Sequence, residues 1–160
     1  MPDTWSATDA LGRALPRIAE AGEFKPNRTV GIFYFNWQAS FGNKAVYDIA
    51  KILKADSPVP PWGLAHAPHY WSEPRFGYYR PDDPWVIRKQ VQMLTDAGVD
   101  VLIFDATNGL TYDAEREALC LVLEQMQFEG HRVPQIAMFA NASHNAVVQH
   151  LWETFYKPGK

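Results

Sequence analysis

Three apolar runs in this chain end on polar side chains of the kind that handle hydroxyl groups. Val30-Gly31-Ile32-Phe33-Tyr34-Phe35 runs into Asn36-Trp37, Val99 to Phe104 runs into Asp105-Ala106-Thr107-Asn108, and Pro134 to Phe139 reaches Asn141. A carboxylate only accepts hydrogen bonds, while a carboxamide donates and accepts, so together they can hold one hydroxyl and its neighbour. If strand alternation turns Asp105 to the side of Val101 and Ile103, it is partly desolvated, as a general acid, a general base or a hydroxyl acceptor requires. The competing reading is a carboxylate that fixes the following turn by accepting backbone N–H bonds. Asn36, Trp37, Asn108 and Asn141 carry the same two readings, ligand contact or loop start.

A second group is aromatic. Trp62 is followed by His69-Tyr70-Trp71-Ser72-Glu73-Pro74 and then Phe76-Gly77-Tyr78-Tyr79, in a proline-rich stretch with neither helical nor strand periodicity. Flat rings stack on the C–H faces of sugars, while imidazole, carboxylate and phenol groups bond sugar hydroxyls. His69, Tyr70, Trp71, Glu73, Tyr78 and Tyr79 are therefore candidate substrate-binding residues beside Asn36, Trp37, Asn108 and Asn141, with Asp105 the candidate catalytic carboxylate. A loop that packs its own rings into a minicore is the alternative.

Other chemistries find no footing. Neither Gly-x-Gly-x-x-Gly nor Gly-x-x-x-x-Gly-Lys follows the first run, and no Gly-x-Ser-x-Gly elbow occurs. Of His66, His69, His131, His144 and His150, only His66 and His69 lie close together, with Glu73 nearby, and their spacing matches no ligand motif. No metal and no cofactor is expected. Cys120 falls inside a helical pattern and reads as a buried thiol.

The elements that must position these residues follow from the pattern. Residues 1–29 read as an N-terminal arm, and residues 30–160 as about three βα units. The run 30–35 reads as a strand buried on both faces. Residues 38–83 form a long aromatic-rich first βα loop with a short helix within Ala45 to Leu53. Asp83-Pro84 caps a helix whose Ile87, Val91 and Leu94 make one apolar face, and Gly98 ends it. The next helix spans about Asp113 to Glu129, with Ala118, Leu121, Val122, Gln125 and Met126 inward and Gly130 after it. Ser143 caps a last helix with Val147, Val148, Leu151, Trp152 and Phe155 in its stripe. Alternation of this kind predicts an α/β fold of parallel strands joined by right-handed crossovers, either an open doubly wound sheet or a β/α barrel. A complete barrel takes ~250 residues, so a barrel reading makes this chain an N-terminal portion.

Composition agrees. The chain has 160 residues, 47% hydrophobic and 21% charged, which suits one domain with a core and excludes intrinsic disorder. No run approaches the ~18 apolar residues of a membrane span. A net charge of −3 gives no basic footprint for nucleic acid. The opening Met-Pro-Asp-Thr-Trp has no charged-then-apolar export signal.

Four segments taken in order carry a resemblance: 30–37, 69–79, Asp82-Asp83-Pro84-Trp85-Val86-Ile87-Arg88-Lys89-Gln90, and Ala97-Gly98-Val99-Asp100 to Asp105. The chain resembles the N-terminal half of bacterial (β/α)8 carbohydrate-active proteins related to glycoside hydrolase families 71 and 99. Those families show a Phe-Tyr-x-x-Trp-like first strand, a Gly-Tyr-Tyr-like turn, an Asp-Pro-x-x-Ile-x-x-Gln helix start and an Ala-Gly-Ile-Asp lead-in. Trp5, Thr8 to Arg13 and Leu15-Pro16 look like the openings of uncharacterised secreted members. The resemblance implies a glycoside hydrolase acting on a poly- or oligosaccharide from a secreted or periplasmic location. It also implies that the family's own catalytic carboxylates lie on strands beyond the third. A glycosidase needs two carboxyl groups about 5–10 Å apart, and Asp105 with Glu73 is the pair this chain offers. The alternative is a non-catalytic glycan-binding or assembly module. Open edges of a partial sheet also predict self-association.

Overall fold

A computed structural model describes residues 7–23, 26–38, 45–56, 62–63 and 67–159; Trp5, Pro58, Pro60, Pro61 and His66 lie outside these ranges. Short helices α1 (Ile18–Ala21) and α2 (Ile49–Lys54) precede the main repeat. The Asp83-Pro84 pair starts α3 (Pro84–Asp96) as its residue types predict. The Asp83 carboxylate accepts from the N–H groups of Trp85 (2.9 Å) and Val86 (3.1 Å), and Pro84 has no N–H to leave unsatisfied. At the far end Gly98 adopts φ +83°, so that Val99 N–H reaches Leu94 O (3.0 Å) and Gly98 N–H reaches Thr95 O (2.9 Å). This closure needs a left-handed residue, which glycine supplies without a Cβ clash. Helix α4 (Asp113–Phe128) closes the same way, with Gly130 at φ +85° and bonds from His131 to Met126 and from Gly130 to Gln127.

Strands β1 (Gly31–Tyr34), β2 (Val101–Ala106) and β3 (Gln135–Ala140) form a parallel sheet in that order, with Gly31 beside Val101 and Val101 beside Gln135. Asp100 sets this register at the amino edge. Its N–H donates to Val30 O (2.8 Å), its carbonyl accepts from Gln135 N–H (2.8 Å), and its carboxylate accepts from Val30 N–H (3.0 Å) and the Arg132 guanidinium. One residue of the Ala-Gly-Val-Asp run thus ties all three strand entries.

Alternate residues of β2 point to opposite faces. Leu102 and Phe104 join Tyr34, Ile87, Val91 and the α4 residues Leu119, Val122, Leu123 and Met126 in one core. Ala106 packs with Met138 and Ala140 against Val147 and Leu151 of α5 (His144–Leu151). Helices α3, α4 and α5 therefore share one face of the sheet. Right-handed crossovers between strands added in one direction require this. On the other face stand Phe33, Phe35, Ile103, Asp105 and Phe139. The Phe33 ring lies 4.8 Å from Phe35 and 5.5 Å from Phe139, no described helix covers them, and Phe35 and Phe139 are each 48% exposed.

Four local expectations change. β1 is not buried on both faces: Gly31 and Ile32 are exposed and only Tyr34 is buried, because β1 is an edge strand with one face uncovered. In α4 the buried stripe is Leu119, Cys120, Val122, Leu123 and Met126, while Leu121 and Gln125 face outward. In the last helix Val147, Leu151 and Phe155 point inward at intervals of four, leaving Val148 and Trp152 exposed, and the chain widens into a π-helical turn over Trp152–Tyr156. Ser143 heads α5 without a capping bond. Its left-handed backbone (φ 52°) is not the extended conformation from which a side chain caps.

Candidate functional site

The carboxyl ends of β1 and β2 bring together residues distant in sequence. Just past β1, the Trp37 indole N–H donates to Asp105 Oδ2 at 3.1 Å, and Asn36 Nδ2 donates to the Glu115 main-chain carbonyl at 3.4 Å. Asp105 is 3% exposed, and so is Asn36. The other carboxylate oxygen, Asp105 Oδ1, accepts from Thr107 N–H (3.0 Å) and Thr107 Oγ1 (2.7 Å). A carboxylate has about four acceptor sites. Among the described residues three are filled, which leaves one on Oδ2 beside the indole. The turn-fixing role is thus present in the geometry, and it leaves one lone pair for a ligand hydroxyl.

The β2–α4 loop adds a ring. Tyr112 stacks on Trp37, with centroids 6.4 Å apart and planes at 21°, and Phe35 meets the indole edge-on at 6.1 Å. Tyr112 holds the left-handed conformation (φ 42°, ψ 52°) at the head of α4. Desolvation holds its phenol above the usual tyrosine range. The negative charges of Asp105 and Glu115 add to this, and a hydrogen bond with Asn108 opposes it. Tyr112 therefore presents a neutral hydroxyl. Glu115, 6% exposed, sits in the first turn of α4, where a carboxylate is favoured by the positive end of the helix.

The long loop forms a separate cluster. Tyr70 donates to Tyr79 O (2.8 Å) and packs against the rings of Tyr79 (5.3 Å) and Tyr78 (5.8 Å). Tyr79 Oη accepts from Gln90 Nε2 (3.0 Å), and Gln90 Oε1 accepts from Tyr34 (2.6 Å), which ties the loop to α3 and β1. Burial, with Tyr79 adding, pushes the Tyr34 and Tyr70 hydroxyls well above the usual tyrosine range, so both remain donors. Tyr78 Oη accepts from Ala50 N–H at 3.4 Å. His69 lies between the rings of Tyr47 and Trp62.

The structure thus joins Asn36, Trp37 and Asp105, with Asn108 attached through Tyr112. It gathers His69, Tyr70, Tyr78 and Tyr79 into the loop's own packing. Trp71 and Glu73 project into solvent, and no described contact links Glu73 to Asp105. Asn141 is exposed on the loop after β3, which leans on the β2–α4 loop through Ala142 N–H to Thr107 O (2.9 Å). The sequence reading did not single out Tyr112 and Glu115. The signal was present in Thr-Tyr-Asp-Ala-Glu, an aromatic residue and two acids opening a helix straight after the Asp105 turn. Among the described residues, no group of three or more His, Cys, Asp and Glu could hold a metal ion. A groove of about 420 Å³ lined by Pro84, Ala118, Leu121 and Val122 lies between α3 and α4 and includes none of these rim residues.

The fold is α/β, built on a three-stranded parallel sheet, and among the described residues no helix is long and apolar enough to cross a membrane. Comparisons with family models, curated proteins and solved structures gave no match to the chain.

Proposed function

We propose that this chain is the N-terminal part of a β/α barrel that handles a poly- or oligosaccharide at the carboxyl rim of its strands. Helices on a single sheet face support a singly wound barrel over a doubly wound sheet, whose helices cover both faces. The observation that carries the functional reading is the Trp37–Tyr112 ring stack set against the Asp105 carboxylate at that rim. A sugar ring lies with its C–H face on the aromatic pair while its hydroxyls reach Asp105, Asn108 and Tyr112. In a glycoside hydrolase resembling families 71 and 99, further βα units complete the catalytic carboxylates and Asp105 serves the substrate side.

The second reading is a non-catalytic glycan-binding or assembly module. The three internal donors on Asp105 favour it, because a carboxylate so engaged is a better anchor than a proton carrier. Calorimetric titration with oligosaccharides, paired with a hydrolysis assay, decides between them. Binding with turnover supports the hydrolase, binding alone supports the module, and absence of both overturns the carbohydrate reading.

A further inference from the structure

The aromatic loop packs most of its rings and leaves one out. Tyr70 is pinned by its bond to Tyr79 O (2.8 Å) and by the rings of Tyr78 and Tyr79. Tyr79 is held in turn by Gln90 Nε2 (3.0 Å), while Gln90 Oε1 accepts from the buried Tyr34 (2.6 Å). Further on, a tight turn closes with Gly77 N–H on Pro74 O (2.9 Å), and Phe76 within it meets Trp85 edge-on at 5.4 Å. Trp71 stands between these two anchors and is fully exposed, at 102%. Tryptophan is highly buried on average, because wetting so large a ring forfeits much hydrophobic energy. A frayed loop exposes such a ring by chance. A loop pinned on both sides of it holds the ring out in a fixed place.

We propose that Trp71 is the platform of a second glycan subsite, apart from the rim, that takes a remote stretch of a polysaccharide chain. This subsite rests on the carbohydrate reading of the rim and narrows it to long chains. A flat ring open to solvent stacks on the C–H face of a sugar. Ser72, Glu73 and Arg75, next in the chain, are exposed and supply a hydroxyl, an acceptor and a donor for sugar hydroxyls.

The same neighbours disfavour a lipid surface. Glu73 and Arg75 cancel in charge, and no second apolar side chain is exposed between His69 and Arg75. Segments that seat in a bilayer add apolar and basic residues instead. A fixed platform loses little freedom on binding, so two subsites on one sugar chain gain through effective concentration.

The test is affinity electrophoresis of the full chain through gels holding soluble mannan, glycogen, dextran or arabinoxylan. Calorimetric titration with a trisaccharide of each polymer runs beside it. At least one polymer should retard the parent, and Trp71→Ser should weaken that affinity about tenfold. Trp71→Tyr, which keeps a ring, should restore part of it. The trisaccharide fills the rim alone, so it should bind the parent and Trp71→Ser alike, with Tm unchanged. Polymer affinity unaltered in Trp71→Ser overturns the subsite and leaves the rim reading standing. Trisaccharide affinity that falls in step places Trp71 in the rim site and overturns it too. A lowered Tm, or loss of binding to phosphatidylcholine–phosphatidylglycerol vesicles in place of polymer, overturns it in favour of the fold or a membrane. If no polymer retards the parent the subsite falls, and the trisaccharide titration then decides the rim reading separately.

Discussion

The Trp37 indole N–H and the Asp105 carboxylate, 68 residues apart in sequence, meet at 3.1 Å where β1 and β2 end. This bond joins the first βα connection to the second strand at the rim, and with the two Thr107 donors it fixes how Asp105 is turned.

The first prediction concerns that carboxylate. Asp105→Asn retains one acceptor oxygen, so its new NH₂ must face either the indole N–H or the Thr107 pair. A buried donor left without an acceptor costs about 1–3 kcal/mol. Thermal unfolding should show a lower Tm, by about 2–10 °C for a chain of this size. An unchanged Tm would mean that the rim does not depend on these bonds. Affinity for oligosaccharide measured on the same variant reports separately on the remaining Oδ2 lone pair.

The elements were largely readable because local chemistry dictates them. Asp83-Pro84 and the glycines at 98 and 130 act within their own turns, and the inward face of β2 follows from the alternation of apolar residues such as Leu102 and Phe104. What needed the third dimension was anything crossing elements. That Leu119 and Leu123, not Leu121, face the core depends on where α3 sits. That Tyr112 lies on Trp37 depends on a left-handed residue that no propensity assigns to tyrosine. The uncovered face of β1 was also hidden, since a run of apolar residues reads the same in a central strand and an edge strand.

Gly130 offers a test of the helix closure. A Cβ there meets nothing within 4 Å, so the penalty of Gly130→Ala comes from the positive φ alone. The expected loss is about 1–2 kcal/mol. Chemical denaturation should show a lower midpoint with an unchanged slope, and Gly130→Asn should lose less, because asparagine tolerates this conformation.

Acid should loosen α5. Desolvation pushes the Asp113 carboxyl up, but bonds from Thr111 and His150 and the Arg116 charge outweigh it and hold the group below its ordinary 3.8. His150 Nε2 lies 2.7 Å from Asp113 Oδ2, and the buried Arg116 donates to Oδ1 at 2.8 Å. A carboxylate lowered on folding stabilises fully above its unfolded value, and that contribution fades as pH falls through the folded one. Because Asp113 is half exposed, the effect is under about 1 kcal/mol. Unfolding followed from pH 5 down to 2 should show less acid sensitivity in Asp113→Asn than in the parent; equal sensitivity would place the linkage elsewhere.

The open sheet face predicts association. Phe33, Phe35 and Phe139 form a ring cluster with two members half exposed, and contiguous apolar surface of this kind is uncommon on a monomer. Light scattering at tens of micromolar should find the chain larger than a monomer. The double change Phe35→Ser and Phe139→Ser should shift it toward monomer, and a monodisperse parent would contradict the prediction.

Tyr112 belongs both to the core packing and to the proposed ring pair, so its variant is read in stability and in binding. A tyrosine held in the left-handed region carries about 1–2 kcal/mol of backbone strain, of the kind that persists at sites where it serves a purpose. Its stack on Trp37 returns about 0.5–1.5 kcal/mol. Tyr112→Asn relieves the strain but removes the stack, the hydrogen bond with Asn108 and the ring's packing against the core, so stability should fall by about 1–2 kcal/mol. The proposed glycan platform loses one ring of its pair and the neutral hydroxyl beside Asp105. Oligosaccharide affinity measured well below the lowered Tm should fall about tenfold. A variant that binds as well as the parent would remove Tyr112 from the site, and with it the ring pair on which the carbohydrate reading rests.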